Sequence, residues 1–188
     1  MKLKKLFNPF AYFSEITLLI IGILFIIIAL FSSPFFNALH TGIFQVAAGK
    51  TTSWKHLLML LSGTLVPFLL LFIMALFINK KTRWIDILNT ALIARIPCYV
   101  CIPLIIFAKK IFSVHYNDPK AIPISSWINV IVFTMLNLLV FAFSLVLYYN
   151  GFKTSTNARK WEIYVLFFVV LIIADILTLI INYHFILP

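Results

Sequence analysis

Charge is scarce in this sequence. Asp, Glu, Lys and Arg make up 11% of its 188 residues, under half of the ~25% usual in soluble domains. Only five residues are acidic, and they do not cluster. Cysteine occurs twice, at Cys98 and Cys101, and glycine five times. These shortages exclude a disulfide scaffold and a collagen-like chain. Catalytic patterns are missing too. There is no Ser–His–Asp order, no H-E-x-x-H and no carboxylate pair, so nothing supports a hydrolase. His40, His56, His115 and His184 lie in or near predicted loops, not at i, i+4 spacing, and a structural zinc site needs four ligands. No metal and no other cofactor is expected. Ala48-Gly49-Lys50-Thr51 is similar to the end of a phosphate-binding loop, but Phe44 stands where that pattern needs glycine.

What is abundant is apolar surface. Hydrophobic residues make up 63% of the chain, against 45–50% in soluble proteins. No soluble globule of this length can hide that much. The expected fold class is therefore all-α, a polytopic transmembrane helical bundle forming a single domain over 1–188. At ~20 residues per crossing, the length allows about five spans. Five apolar segments fit, at approximately 16–36, 57–78, 85–108, 127–149 and 162–181. They are continuous apolar runs, not the alternating pattern of a barrel. Lipid offers no partner to an unpaired backbone group, which forces them helical. Trp54, Trp84, Trp127 and Trp161 stand at the starts of spans two to five, as an interfacial aromatic belt would.

Lys and Arg set the expected orientation. Lys2, Lys4, Lys5, Lys80, Lys81, Arg83, Lys153, Arg159 and Lys160 fall on one side; Lys50, Lys55, Lys109, Lys110 and Lys120 fall on the other. Nine against five places the N-terminus in the cytoplasm and the C-terminus outside. The first span reads as an uncleaved signal anchor, since its apolar run is long and no A-x-A-like site follows. The net charge of +10 is then a topology signal, and no nucleic-acid partner is expected of basic residues spread over short loops on both sides.

Polar residues inside the spans need a reason, because a charge at the bilayer centre costs at least ~2.5–3.5 kcal/mol. Arg95 lies roughly 15 Å into span three, Asp175 roughly 20 Å into span five and Asn137 roughly 18 Å into span four, at 1.5 Å per residue. One layer would hold all three, with an Arg95–Asp175 ion pair and Asn137 alongside. The cluster is either packing glue or a transport path. Asp86, Asn89 and Thr90 form a second polar face at i, i+3 and i+4. Pro67, Pro97 and Pro103 should bend spans two and three. Cys98-Tyr99-Val100-Cys101 is a weak redox candidate, with two buried soft hydrophobes as the plainer reading.

Several motifs carry a resemblance over nearly the whole chain. They are Asn8-Pro9 followed by Phe13 and Ile16, and Thr52-x-Trp54-Lys55-x-Leu57-Leu58 followed by Pro67. Two more are Arg83-x2-Asp86-Ile87-Leu88-Asn89 leading to Ala94-Arg95-Ile96-Pro97, and Leu145-x-Leu147-x3-Gly151-Phe152. The sequence resembles the bacterial branch of the Yip1 family of five-span integral membrane proteins. The resemblance implies a five-helix bundle in a bacterial inner membrane and, from its eukaryotic members, a trafficking-related role; the missing catalytic constellation and the lack of room for a large soluble domain point to a non-enzymatic scaffold or assembly factor. The partners expected are the lipid bilayer and either other membrane proteins or a second copy. A small-solute or ion transporter using Arg95, Asn137 and Asp175 is the alternative. A thiol–quinone oxidoreductase using Cys98 and Cys101 is the third reading.

Overall fold

Helix dominates the computed structural model of the chain, which describes residues 2–103, 124–158 and 160–187. A short helix α1 (Lys2–Phe7) and a 3₁₀ turn (Pro9–Ala11) lead into α2 (Glu15–Phe36). The Ser14 hydroxyl caps α2 by accepting from the Thr17 N–H at 3.2 Å, and Glu15 places its charge in the first turn. Both features satisfy a helix N-terminus. Asn37 ends α2 in the left-handed region, at φ 50°, where asparagine is tolerated. The chain then doubles back as an antiparallel hairpin, β1 (Ala38–His40) with β2 (Val46–Ala48). Ala38 pairs with Ala48 and His40 with Val46. Next come α3 (Ser53–Ile78), α4 (Trp84–Ala94), α5 (Ile96–Val100), α6 (Ile124–Thr156) and α7 (Trp161–Ile181). A π-helical turn, Asn182–Ile186, follows α7.

Among the described residues, four helical stretches are long and apolar enough to cross a membrane: Glu15–Phe36, Ser53–Ile78, Thr134–Thr156 and Trp161–Ile186. They correspond to expected spans one, two, four and five. The stretch expected as span three starts as α4 but breaks at Arg95, and α5 takes over. Pro97 accounts for the break. It sits in the first turn of α5, has no N–H to give the Ile93 carbonyl four residues back, and crowds that carbonyl with its ring. Residues 104–108 of that span, and Lys109, Lys110, His115 and Lys120 beyond it, lie outside the described residues, as does Arg159. Helix α6 runs on to Thr156 rather than ending at 149, which carries Lys153 into its last turn. A cation there complements the helix C-terminus.

The bundle is apolar on both its inside and its outside. Phe31, Phe35, Phe77 and Ile172 are each at least 60% exposed. Water would not tolerate that surface, whereas lipid matches it. The innermost helix is α4, where Ile87 and every residue from Asn89 to Ala94 is buried. It packs against α2, α3 and α6, while α7 packs against α3.

Contacts at the two ends orient the helices. Asn150 Nδ2 donates to the Phe7 carbonyl at 2.8 Å, and Arg83 forms ion pairs with Glu15 and Asp86. The N-terminal segment, the starts of α2 and α4 and the last turns of α6 therefore share one end. The hairpin and Asn182 share the other, where Asn182 Nδ2 donates to the carbonyls of His40 and Thr41 at 3.3 and 2.8 Å.

Helices in lipid associate most closely where small residues let backbones approach. Gly22 on α2 is such a place. A Cβ built on it would fall 2.6 Å from Leu92 Cβ of α4. Gly22→Val should therefore push α2 off α4 and lower the melting temperature of the detergent-solubilised protein, at a cost of about 1–3 kcal/mol for overpacking. A melt equal to that of the unaltered protein would mean that the two helices are not this close.

Candidate functional site

The break between α4 and α5 delivers Arg95 into the interior, where it is 1% exposed. Its Nη1 donates to the Leu60 carbonyl and to Thr64 Oγ1, each at 2.9 Å, and both acceptors lie on α3. Thr64 Oγ1 donates in turn to the Leu60 carbonyl at 2.9 Å. The guanidinium carbon stands 5.2 Å from the centre of the Tyr99 ring, within cation–π range. Gly63 makes the room. Any Cβ there would come within 2.5 Å of Arg95 Nη2. Pro67, buried further along α3, has no N–H to donate back to the Gly63 carbonyl.

Arg95 Nη2 also reaches the Gly42 carbonyl, at the long distance of 3.5 Å. Gly42 belongs to the tip of the hairpin. The next N–H along, that of Ile43, donates to Asp175 Oδ1 of α7 at 2.7 Å, and Gln45 Nε2 approaches Asp175 Oδ2 at 3.4 Å. The Gly42 carbonyl and the Ile43 N–H are two sides of one peptide group. Arg95 holds its acceptor and Asp175 holds its donor. The cation and the anion thus interact through a single peptide dipole. Glycine at 42 is required by the approach, since a Cβ would lie 2.8 Å from Asp175 Oδ1.

Three further attachments hold the hairpin. The Ile43 side chain is 1% exposed and belongs to the core that also contains Leu71, Ala91, Tyr148, Phe167 and Ala174. Asn182 binds two hairpin carbonyls, as above, and accepts from Ser62 Oγ at 2.7 Å. His40 Nε2 lies 3.2 Å from Ser33 Oγ. The His40 ring meets the rings of His56 and Tyr99 edge-to-face, with centroids 5.6 and 5.2 Å apart. Irregular backbone inside a membrane bundle must have every polar group satisfied by protein, and this hairpin largely does. Some side-chain atoms beside it have no protein partner among the described residues: both ring nitrogens of His56, Arg95 Nε and the Tyr148 hydroxyl.

Burial, then Arg95 and His56, hold the His40 imidazole well below its ordinary value. The folded protein keeps His40 neutral, while the unfolded chain takes up a proton below pH ~6.5. The folded state binds fewer protons, so its stability is full above that pH and falls as pH drops below it.

The sequence-predicted residues fall in different places. Arg95 and Asp175 do not touch: the ion pair expected between them is mediated by the peptide, and among the described residues the direct ion pairs are those of Arg83. Asn137 is exposed on α6, so the three do not form one buried layer. Asp86, Asn89 and Thr90 gather at the opposite end of the bundle. Asp86 pairs with Arg83, Asn89 Nδ2 donates to the Glu15 carbonyl at 3.0 Å, and Thr90 Oγ1 donates to the Asp86 carbonyl at 2.9 Å. Cys98 is buried with its Sγ 3.6 Å from Ser144 Oγ, Cys101 is half-buried, and both are free thiols. Pro103 is exposed.

Sequence reasoning missed the hairpin and, with it, the roles of His40, His56, Ser62 and Asn182. One signal was available. Residues 37–49 carry no charged side chain and include Leu39, Ile43, Phe44 and Val46, which suits an interior position better than a solvated loop.

Comparison of the chain with protein-family models, with curated proteins and with solved structures gave no match.

Two predictions follow from the clamp. Arg95→Leu leaves the buried Leu60 carbonyl and Thr64 hydroxyl, and the hairpin peptide, without their charged donor, so it should cost about 1–3 kcal/mol, the usual penalty for stranding buried polar groups. In a double-mutant cycle with Asp175→Asn the two changes should couple by 0.5–3 kcal/mol; strict additivity would show that the shared peptide transmits nothing. Melting temperature should also fall as pH is lowered from 7 to 5, and His40→Phe should flatten that slope. A slope unchanged by the substitution would place the titrating group elsewhere.

Proposed function

We propose that the protein is a non-enzymatic, Yip1-like membrane scaffold or assembly factor that works by contact with other membrane proteins, with lipid or with a second copy of itself. In this reading it lies in a cytoplasmic membrane, crosses five times with the third span at approximately 85–108, and has its N-terminus inside and its C-terminus outside. One observation carries the reading. The buried Arg95 guanidinium is taken up by the Leu60 carbonyl and Thr64 hydroxyl of α3, with a longer reach to the Gly42 carbonyl, and the half-buried Asp175 carboxylate by the adjoining Ile43 N–H, which is the work of packing rather than of a solute path. The opposite-end placement of the N-terminal segment and Asn182 supports an odd number of crossings.

Transport is the second reading. It is favoured by the unpartnered polar atoms of His56, Arg95 and Tyr148 in the bundle interior, since polar groups at such depth often mark a proton or solute route.

Extraction into native lipid particles, followed by crosslinking and mass spectrometry, separates the two. A scaffold should bring down defined membrane-protein partners or a homo-oligomer, and proteoliposomes of the purified protein should carry no proton or solute flux. A lone monomer with a flux that Arg95→Leu abolishes, in protein that still melts cooperatively, would reject the scaffold and favour transport.

A further inference from the structure

We propose that the end of the bundle carrying the N-terminal segment holds a binding site for one glycerophospholipid with a primary-amine headgroup. The site is separate from the clamp and goes beyond the scaffold reading.

Two cavities of opposite character abut there. One, of about 300 Å³, is lined by Glu15, Arg83, Asp86, Asn89, Thr154 and Ser155, among others. The second, of about 700 Å³, is lined by apolar side chains such as Ile21, Ile93, Val100, Leu139 and Leu147, with Lys5 its one charged residue among those described. Phe13 and Leu18 line both. Their depth order is the same on three helices. Along α2 the polar cavity uses Glu15 and the apolar one Ile21. From the start of α4 the polar cavity uses Arg83, Asp86 and Asn89, and the apolar one uses Ile93 and then Val100 of α5. Counting back from the end of α6, the polar cavity uses Ser155 and the apolar one Leu147 and Leu139. The polar cavity thus sits at the bundle end, at headgroup level. The apolar one runs from it toward the middle, where acyl chains lie.

The polar cavity also selects chemistry. Asn89 is 1% exposed, its Nδ2 is used on the Glu15 carbonyl, and its Oδ1 has no partner among the described residues. A buried carbonyl oxygen calls for an N–H or O–H donor. Glu15 and Asp86 set two carboxylates against the single guanidinium of Arg83, which leaves a net negative pocket. An ammonium with N–H bonds answers both features. A quaternary amine lacks the donor, and an uncharged glycerol head lacks the charge. Arg83 and Lys5, one from each cavity, are the cations available to the phosphate.

The test releases full-length protein from nanodiscs holding equal parts phosphatidylethanolamine, phosphatidylcholine and phosphatidylglycerol, and weighs it by native mass spectrometry. Ethanolamine-lipid adducts should exceed each of the others at least fivefold. Glu15→Gln with Asp86→Asn should reduce that preference to near equality. Leu139→Trp should lower retention of all three lipids, and Leu139 is 66% exposed, so the larger ring can be placed without disturbing the core. Thermal melts matching the unaltered protein certify the fold of each variant. Equal retention by the unaltered protein, a preference for the glycerol head, or an ethanolamine preference that survives loss of both carboxylates overturns the proposal. Retention of no lipid overturns it as well, the apolar cavity then being filled by the chain itself or by a second copy. None of these outcomes bears on partner capture, so the two readings fail separately.

Discussion

One peptide group organises the far end of this bundle. A guanidinium and a carboxylate in hydrocarbon each need a partner, and a direct pair would satisfy both while leaving the hairpin unanchored. Here the Gly42–Ile43 peptide stands between Arg95 and Asp175. Its dipole is aligned with the field between the two charges, its oxygen toward the cation and its N–H toward the anion. The same contacts satisfy a backbone donor and acceptor that would otherwise be costly to bury. Much else follows from this geometry: glycine at 42 and at 63, the break that frees Arg95 from helix geometry, and the Thr64 hydroxyl beside the guanidinium.

Lipid as solvent accounts for the remainder of the packing. Apolar burial supplies no drive between helices whose outer faces are equally apolar, so contact must come from close approach and from polar attachments. The structure uses both. Gly22 and Gly151 let neighbours come close to Leu92 and Thr90 of α4. Polar attachments concentrate at the two ends, around Arg83 and around Asn182, where they fix how the helices line up along the membrane normal.

The helical bundle was legible in the sequence because lipid leaves so few alternatives. Four long apolar helices lie where uninterrupted apolar runs predict them. Arg95 and Asp175 stood out because charge is costly in such runs. Their joint partner did not, because that partner is backbone, and a peptide group has no letter of its own. The hairpin is hard to see in the sequence for a different reason: its strands are three residues long, too short for period-two alternation to register against flanking apolar spans. His40 and His56 are sixteen residues apart in the chain (56 − 40), and only the reversal at Gly42–Gln45 brings their rings together. The break at Arg95 was half visible. Pro97 marked a bend in the third span, but not that the bend would turn the arginine inward.

The clamp also imposes an order of assembly. Its parts come from the hairpin at 42–45, from α3 at 60–64, from Arg95 and, last along the chain, from Asp175. During synthesis the hairpin and Arg95 leave the ribosome well before α7 exists. Until α7 is inserted, the Ile43 N–H and the Arg95 charge lack their anionic counterpart. Helix α7 therefore acts as the keystone: its insertion supplies the anion opposite Arg95 and locks a hairpin made well before it, so the nascent chain carries an unbalanced charge over the whole interval between the two.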